Sequence, residues 1–398
     1  MRSIIHFRLN SFFAALEQIR RPEFAGKPLL VTRKSGRGEF VVSASVECDL
    51  PLLGQESSSC PNNELTARHA LRYNPTAVVI PADWDHYREA SGAVMDILAK
   101  YSPLLEPHSL DRAYMDVTGC TKLFGSPKTI AREVQRTVLD QIGVPVSVGL
   151  ARNKLSACAA SSACNPGGYT AVRPGTEAEF MSQLPVGVLS GVGPKIVRRL
   201  EGLGVRTVGD LAAIPERLLI RQFGALGSRL RTQSQGIDHS PVAALYPPSA
   251  IIIEHTFSYG DGEPSEPAVV EAYMLRMCER LAMQMRKRGR RAGSLKLSLE
   301  HEGSTPVNRF YAFKSPVSSA HGIYIGARRI LMEVLSNTSD ASCLSACHGL
   351  RLTLSDLESG GGIQLSFMGD TERRMRLDAV LETIRSRFGD RAIACGAA

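Results

Sequence analysis

Residues 184–215 read LPVGVLSGVGPKIVRRLEGLGVRTVGDLAAIP, a compact helical stretch with glycines at its turns. Within it Gly191-Val192-Gly193, followed by Pro194 and Lys195, separates two helical segments. A helix-hairpin-helix turn needs glycine there so that the backbone can approach a phosphate, with N–H groups aimed at it from a helix N-terminus. Only backbone groups make such a contact, so the binding is blind to base sequence. A plain tight turn between two packed helices would use the same residues. A second candidate hairpin, Phe223-Gly224-Ala225-Leu226-Gly227, has Arg229 and Arg231 just behind it. The pair of turns makes duplex binding the stronger reading.

On the N-terminal side, strand-like and helix-like patterns alternate. IIHF (Ile4 to Phe7) reads as a buried strand, followed by the helix-like SFFAALEQIR. Pro28–Thr32 and Phe40–Ala44 are apolar runs of strand length, and Trp84–Tyr101 carries its apolar residues on one helical face. Ala113–Val117 alternates again, then a helical stretch from Pro127 to Ile142 precedes the strand VPVSVGL. Such interleaving predicts a mixed sheet flanked by helices. On the C-terminal side, HSPVAALYPPSA (239–250) reads as a linker. A second α/β unit follows, with an amphipathic helix over Pro267–Met285 and a strand alternating Leu295, Leu297 and Leu299 inward with Lys296 and Ser298 outward. SDLESGGGIQLSFMGDTERR (355–374) reads as a flexible connection, and a basic amphipathic segment spans Arg376–Phe388.

The 398 residues suit two to four domains, and 43% hydrophobic with 22% charged residues is an ordinary globular balance that excludes wholesale disorder and fibrous folds. No run approaches the roughly 18 apolar residues of a membrane-spanning helix. MRSIIHFRLNSFF is too quickly charged for a signal peptide, so a cytoplasmic protein with no membrane partner is expected. Nine cysteines, an odd count without regular spacing, read as reduced small hydrophobes; Cys343, Cys347 and His348 lack a second cluster at zinc spacing. The net charge of +8 suits a polyanionic partner without requiring one. Arg286, Lys287, Arg288, Arg290 and Arg291 concentrate charge between the amphipathic helix and the alternating strand. A solvated helix end explains such a run, since cations suit the C-terminal dipole. A basic sheet face presented to a phosphate backbone would also include Lys296, Arg309 and Lys314, and is favoured for that reason.

The order of these elements resembles the Y-family translesion DNA polymerases, closest to the DinB or DNA polymerase IV branch. IIHFRLNSFFAALE looks like that family's opening strand and helix. HYREAS, EPHSLDRAYMDVTG, GLARNKLSACAASSACNPGG, LSGVGPKIVRRLEGLGVRTVGDL and FGALGSRLRTQSQGID match its motifs in order. EHTF (254–257) resembles the start of its little-finger domain, and RLDAVLETIRSRFGDRAI the C-terminal extension of many members. The resemblance implies an α/β (α+β) right hand. Its expected parts are palm and fingers over 1–180 (fingers approximately 12–80), a helix-hairpin-helix thumb over 181–240, a little finger over 241–356 and a tail over 357–398.

It also implies a two-metal mechanism in which carboxylates on adjacent strands hold two Mg²⁺ ions. At the three matching carboxylate positions this chain has Arg8, Asp111 and Arg112. A guanidinium stays protonated and offers no lone pair to a metal, so Asp111 alone is an insufficient ligand set and no cofactor is expected. Asn10, Glu17 and Asp116 do not restore the site; Asp116, at an odd offset from Asp111, should face the other way. The family's triphosphate-contacting Tyr, Arg and Lys match Val46, Asp49 and Asn165, the first two across a small insertion. Phe12 and Phe13 stand at its sugar-selecting position, where simple core packing would equally explain them. Gln364-Leu365-Ser366-Phe367-Met368 resembles the peptides with which bacterial polymerases dock onto the sliding clamp; a strand fragment packed on its own domain is the other reading.

Losses at the catalytic positions beside intact DNA-holding motifs resemble the non-catalytic ImuB-type members. The expected protein is a monomeric adaptor that binds primer-template DNA, the sliding clamp and a replicative or error-prone partner polymerase. The alternative is an active, error-prone, Mg²⁺-dependent polymerase with a rearranged site.

Overall fold

The computed structural model describes residues 2–35, 38–48, 65–246, 250–256, 267–301, 306–336 and 347–359, with Val380, Ile384 and Arg387. The chain divides into two units, Met1–Tyr246 and Pro247–Ala398.

The first unit is built on β1 (Ile4–Leu9), whose run IIHFRL is buried along almost its whole length because it lies mid-sheet. The sheet order is β5 (Leu105–Ser109), β6 (Arg112–Asp116), β1, β7 (Val146–Ala151), β8 (Tyr169–Ala171). β1 runs antiparallel to both neighbours, and β7 and β8 are parallel. Ile5, Phe7 and Leu9 share a core with α1 (Phe12–Arg20), α3 (Trp84–Ala99) and α5 (Pro127–Ile142). Two of these helices have capped starts: Asp83 caps α3, and Ser126 followed by Pro127 caps α5. The other sheet face meets α6 (Lys154–Ala163), an alanine- and serine-rich helix capped by Asn153. Small residues are required because a Cβ on Gly149 of β7 would overlap the α6 backbone at Ala157 and Ser161. A smaller sheet joins β2 (Leu29–Ser35) to β3 (Gly38–Ala44) and to β4 (Val78–Pro81), with α2 (Ala67–Tyr73) beside it; α4 (Thr121–Phe124) precedes α5.

A helical module completes the unit: α7 (Glu177–Ser182), α8 (Pro194–Glu201), α9 (Val208–Ala213), α10 (Glu216–Phe223) and α11 (Ala225–Ser234). Its core includes Met181, Leu200, Leu211, Leu219 and Leu230, together with Leu155 and Ala159 of α6. Thr207 and Asp210 form a reciprocal capping box at α9. The expected linker at 239–250 is fastened down as far as Tyr246. Val242 is buried, Ala243 N–H donates to Glu106, Leu245 N–H donates to the Leu105 carbonyl, and the Tyr246 hydroxyl reaches Asp96 at 2.5 Å. Proline and small residues here mark a chain laid along the edge strand, not a free spacer.

In the second unit the sheet order is β11 (Val307–Val317), β10 (Arg290–His301), β12 (Cys347–Ser359), β9 (Ile251–Thr256), all antiparallel. α12 (Pro267–Lys287) and α13 (Ala320–Ser336) pack on the leucine face. Two expectations need correction. Ser355–Ser359 is not a loose connection but the last part of β12, because the start of β10 extends far enough to pair with it, Arg290 opposite Ser359. Ser298 lies on the face away from the leucines yet is only 3% exposed, its hydroxyl bonded to Asn308 at 2.7 Å.

Candidate functional site

Strand register brings the carboxylate-matching positions together. Arg8 of β1 stands directly opposite Arg112 of β6, with Asp111 in the turn that leads into β6. Arg112 is 6% exposed and its Nε, 3.9 Å from Asp111 Oδ2, makes no hydrogen bond. Asp111 Oδ1 accepts a 2.6 Å bond from the Ser109 hydroxyl. Burial lowers the proton affinity of the Arg8 guanidinium, repulsion from Arg112 lowers it further, and Asp111 pulls the other way. Two cations thus share one carboxylate.

His6, one side-chain repeat along β1 from Arg8, lies on the same face. Its Nδ1 is 2.6 Å from the Ser161 hydroxyl and its Nε2 is buried without a partner. Burial, reinforced by Arg112, His108 and Arg8, holds its pKa well below the ordinary histidine value, so the imidazole is neutral. The next cation, Lys154, is matched by Glu106 at 2.6 Å.

Each of the residues weighed as substitutes is engaged elsewhere. Asn10 Oδ1 already accepts from the Ser147 hydroxyl at 2.8 Å and from Gly167 N–H at 3.2 Å. Glu17 is buried and accepts from the Tyr87 hydroxyl at 2.9 Å. Asp116 sits at the far end of β6, where it accepts from Thr118. Among the described residues no three His, Cys, Asp or Glu side chains come together as a metal would need. With protonated guanidiniums on either side of a single carboxylate, the residues present do not fit a divalent ion.

Phe12 and Phe13 are buried in the sheet core, Phe13 stacked on Tyr87 at 4.7 Å and edge-on to Trp84. Val46 is 66% exposed, Asp49 lies outside the described residues, and Asn165 is exposed, its carbonyl accepting from Ser147. The clamp-like Gln364, Leu365, Ser366, Phe367 and Met368 also lie outside the described residues, as does Cys343.

The hairpin turns are well formed and adjacent. Gly191 has φ +86°, and a Cβ there would overlap the Arg229 guanidinium and touch Leu226, so the second hairpin's helix lies against the first hairpin's turn. Val192 is buried, Gly193 caps α8 with its carbonyl accepting from Ile196 and Val197 N–H, and Lys195 is exposed in the first turn. Gly224, φ +61°, joins α10 to α11, and Gly227 packs against the α10 backbone at Leu219. Arg231 donates to the Ala212 carbonyl. In the second unit Arg286 and Lys287 end α12, Arg288 is exposed in the following turn, and Arg290 and Arg291 begin β10. Lys296 lies over the Phe310 ring at 5.5 Å on the sheet face away from the leucines. Arg309, opposite Leu297, stands on the other face, so the structure does not join it to Lys296.

The impB/mucB/samB family matches residues 7–162, and that family's C-terminal domain matches residues 248–367. The chain is 33% identical to a DNA polymerase IV of Desulfatibacillum aliphaticivorans over 97% of this chain and 94% of the relative. It belongs to the Y family of DNA polymerases, in the DinB-like branch. A DNA polymerase IV of Dehalococcoides mccartyi is 30% identical over 100% of this chain and 97% of its own. The fold is that of known Y-family structures. DinB from Sulfolobus solfataricus superposes with a TM-score of 0.61 at 22% identity, covering 89% of this chain and 98% of that one. An insertion ternary complex of Dbh DNA polymerase gives 0.62 at 23% identity with the same coverage.

Resemblance to the family's motifs located Arg8, Asp111 and Arg112. It did not find Ser109 on Asp111, nor Arg229 over the Gly191 turn. His6 was missed as well, although on a strand its two-residue spacing from Arg8 sets both on one face.

Proposed function

We propose that this DinB-like chain binds primer-template DNA and a sliding clamp without extending the primer, serving as an adaptor in translesion synthesis and DNA damage tolerance. The observation that carries the reading is the register pairing of Arg8 with Arg112 around Asp111, which leaves one carboxylate where two-metal chemistry needs several. The adjoining hairpin turns support DNA holding, because backbone N–H groups serve any sequence. The division into palm and fingers, thumb, little finger and tail is part of the proposal. So is the clamp motif at Gln364–Met368, which rests on its sequence.

The test is primer extension on primed template with Mg²⁺ and then Mn²⁺, paired with a gel shift on the same DNA. Binding without extension is expected, and the binding should weaken as salt rises. Extension that disappears in Asp111→Ala would overturn the reading in favour of an active polymerase with a rearranged site. For the tail, a Gln364→Ala, Phe367→Ala variant should lose clamp binding and keep DNA binding; clamp binding that survives removes the motif from the proposal.

A further inference from the structure

We infer that the Arg8–Arg112 pair is a binding site for a phosphate group that requires no divalent ion. The inference rests on the reading that this position no longer takes metal. A buried guanidinium with an unused N–H is costly unless an anion meets it. Arg112 is such a group: 6% exposed, with Nε unbonded and its nearest anionic oxygen 3.9 Å away. Arg8 faces it across the strand pair and is only half-buried, which leaves an approach from outside.

The surroundings do not supply the missing anion. Among the described residues Asp111 is the one carboxylate paired with these cations, and one of its oxygens is committed to Ser109. Glu106, on the neighbouring β5, is committed to Lys154 and to the Ala243 N–H. His6 contributes no negative charge and is itself kept neutral. Among the described residues two cations therefore stand against one anion, and the Arg112 Nε–H is unbonded. Two guanidiniums present planar forks that match phosphate oxygens, and each bond is charge-assisted. A phosphate would relieve the Arg8–Arg112 repulsion that a divalent ion would worsen. Its source is either the polyphosphate of a free nucleotide or the phosphodiester at the end of a bound strand.

The experiment uses the full chain in EDTA. Titration calorimetry with inorganic tripolyphosphate tests the first source, and fluorescence anisotropy of a primer-template tests the second. Either ligand should bind saturably, with affinity falling at least tenfold in Arg8→Gln and less in Arg8→Lys, which keeps the charge but not the fork. Lys122→Gln, an exposed cation elsewhere on this unit, should change neither. Loss confined to tripolyphosphate assigns the nucleotide, and loss confined to primer-template assigns the strand. A melting curve for Arg8→Gln no lower than that of the unaltered chain excludes unfolding as the cause.

Tripolyphosphate that fails to bind, together with primer-template affinity unchanged in Arg8→Gln, would overturn the inference, as would binding that appears only with Mg²⁺. The adaptor reading fails separately, through primer extension. A chain that neither extends primers nor shows the Arg8 effect sinks this inference and leaves that reading standing.

Discussion

Two parts of the first unit are made of different material. The paired ends of β1 and β6 depend on side chains: with Arg8 still opposite Arg112 in regular register, exchanging carboxylate for guanidinium inverts the local charge without moving the backbone. The hairpin turns depend on the backbone itself. At Gly191 the chain has φ +86° and the Arg229 guanidinium fills the space a side chain would need. A site made of side chains can therefore change its chemistry and keep its fold, whereas a site made of backbone cannot change without local refolding.

The largest expected effect comes from reversing the charge inversion. Arg8→Asp with Arg112→Glu places three carboxylates at the strand ends. Mg²⁺ should then raise the melting temperature of the double variant and leave that of the unaltered chain where it was. At a hundred times its dissociation constant, a ligand stabilises by about 2.7 kcal/mol. An equal response from both proteins would break the contrast, because metal would then be binding somewhere else.

A smaller effect separates binding from folding at the turn. A Cβ on Gly193 meets open space, so Gly193→Ala should melt like the unaltered chain. It should nonetheless bind duplex DNA about tenfold more weakly, on the order of 1.4 kcal/mol, because the methyl occupies the phosphate's approach. Gly191→Ala should lose both, with a folding cost of roughly 1–2 kcal/mol for a left-handed residue before any clash with Arg229. DNA affinity unchanged in Gly193→Ala would reduce the hairpin to a structural turn.

The smallest effect concerns pH. His6 has a depressed pKa in the folded chain, so the unfolded chain takes up a proton first as pH falls. Its stabilising contribution is complete above about 6.5, the unfolded value, and is lost below it toward the folded pKa. Between pH 7.5 and 5.5 this should amount to on the order of 1 kcal/mol. His6→Gln should flatten that part of the stability profile in chemical denaturation. Parallel profiles would show that His6 gains its proton while folded, despite Arg8 and Arg112.

Much of this was legible in the residues because it rests on spacing. The runs IIHF and VPVSVGL became central strands, and the Gly-rich turns fell between helices, since apolar period and turn glycine are local signals. The failures are tertiary. Ser355–Ser359 carries no strong strand pattern and is held by the length of β10. The stretch 239–246 looks detached until Glu106, Leu105 and Asp96 supply its partners. Arg309 seemed to share a face with Lys296 because both are basic, yet register sets them on opposite sides of the sheet. At the site itself, resemblance to the family's motifs located Arg8, Asp111 and Arg112, but the unused Nε of Arg112 follows from burial, which no spacing reports.

The contact between Gly149 and α6 has a consequence for what the five-stranded sheet is for. One side of α6, through Ala157 and Ala160, is pressed on that sheet; the other, through Leu155 and Ala159, belongs to the core of the hairpin module. Its first turn is also tied to the chain beyond α11, Asn153 donating to the Gly236 carbonyl and Leu155 N–H to Asp238. The helix is a common foundation, so the sheet works as the mounting plate of the hairpins whether or not it performs a reaction. A lineage relieved of catalysis would still be held to the sheet's shape by the load it carries.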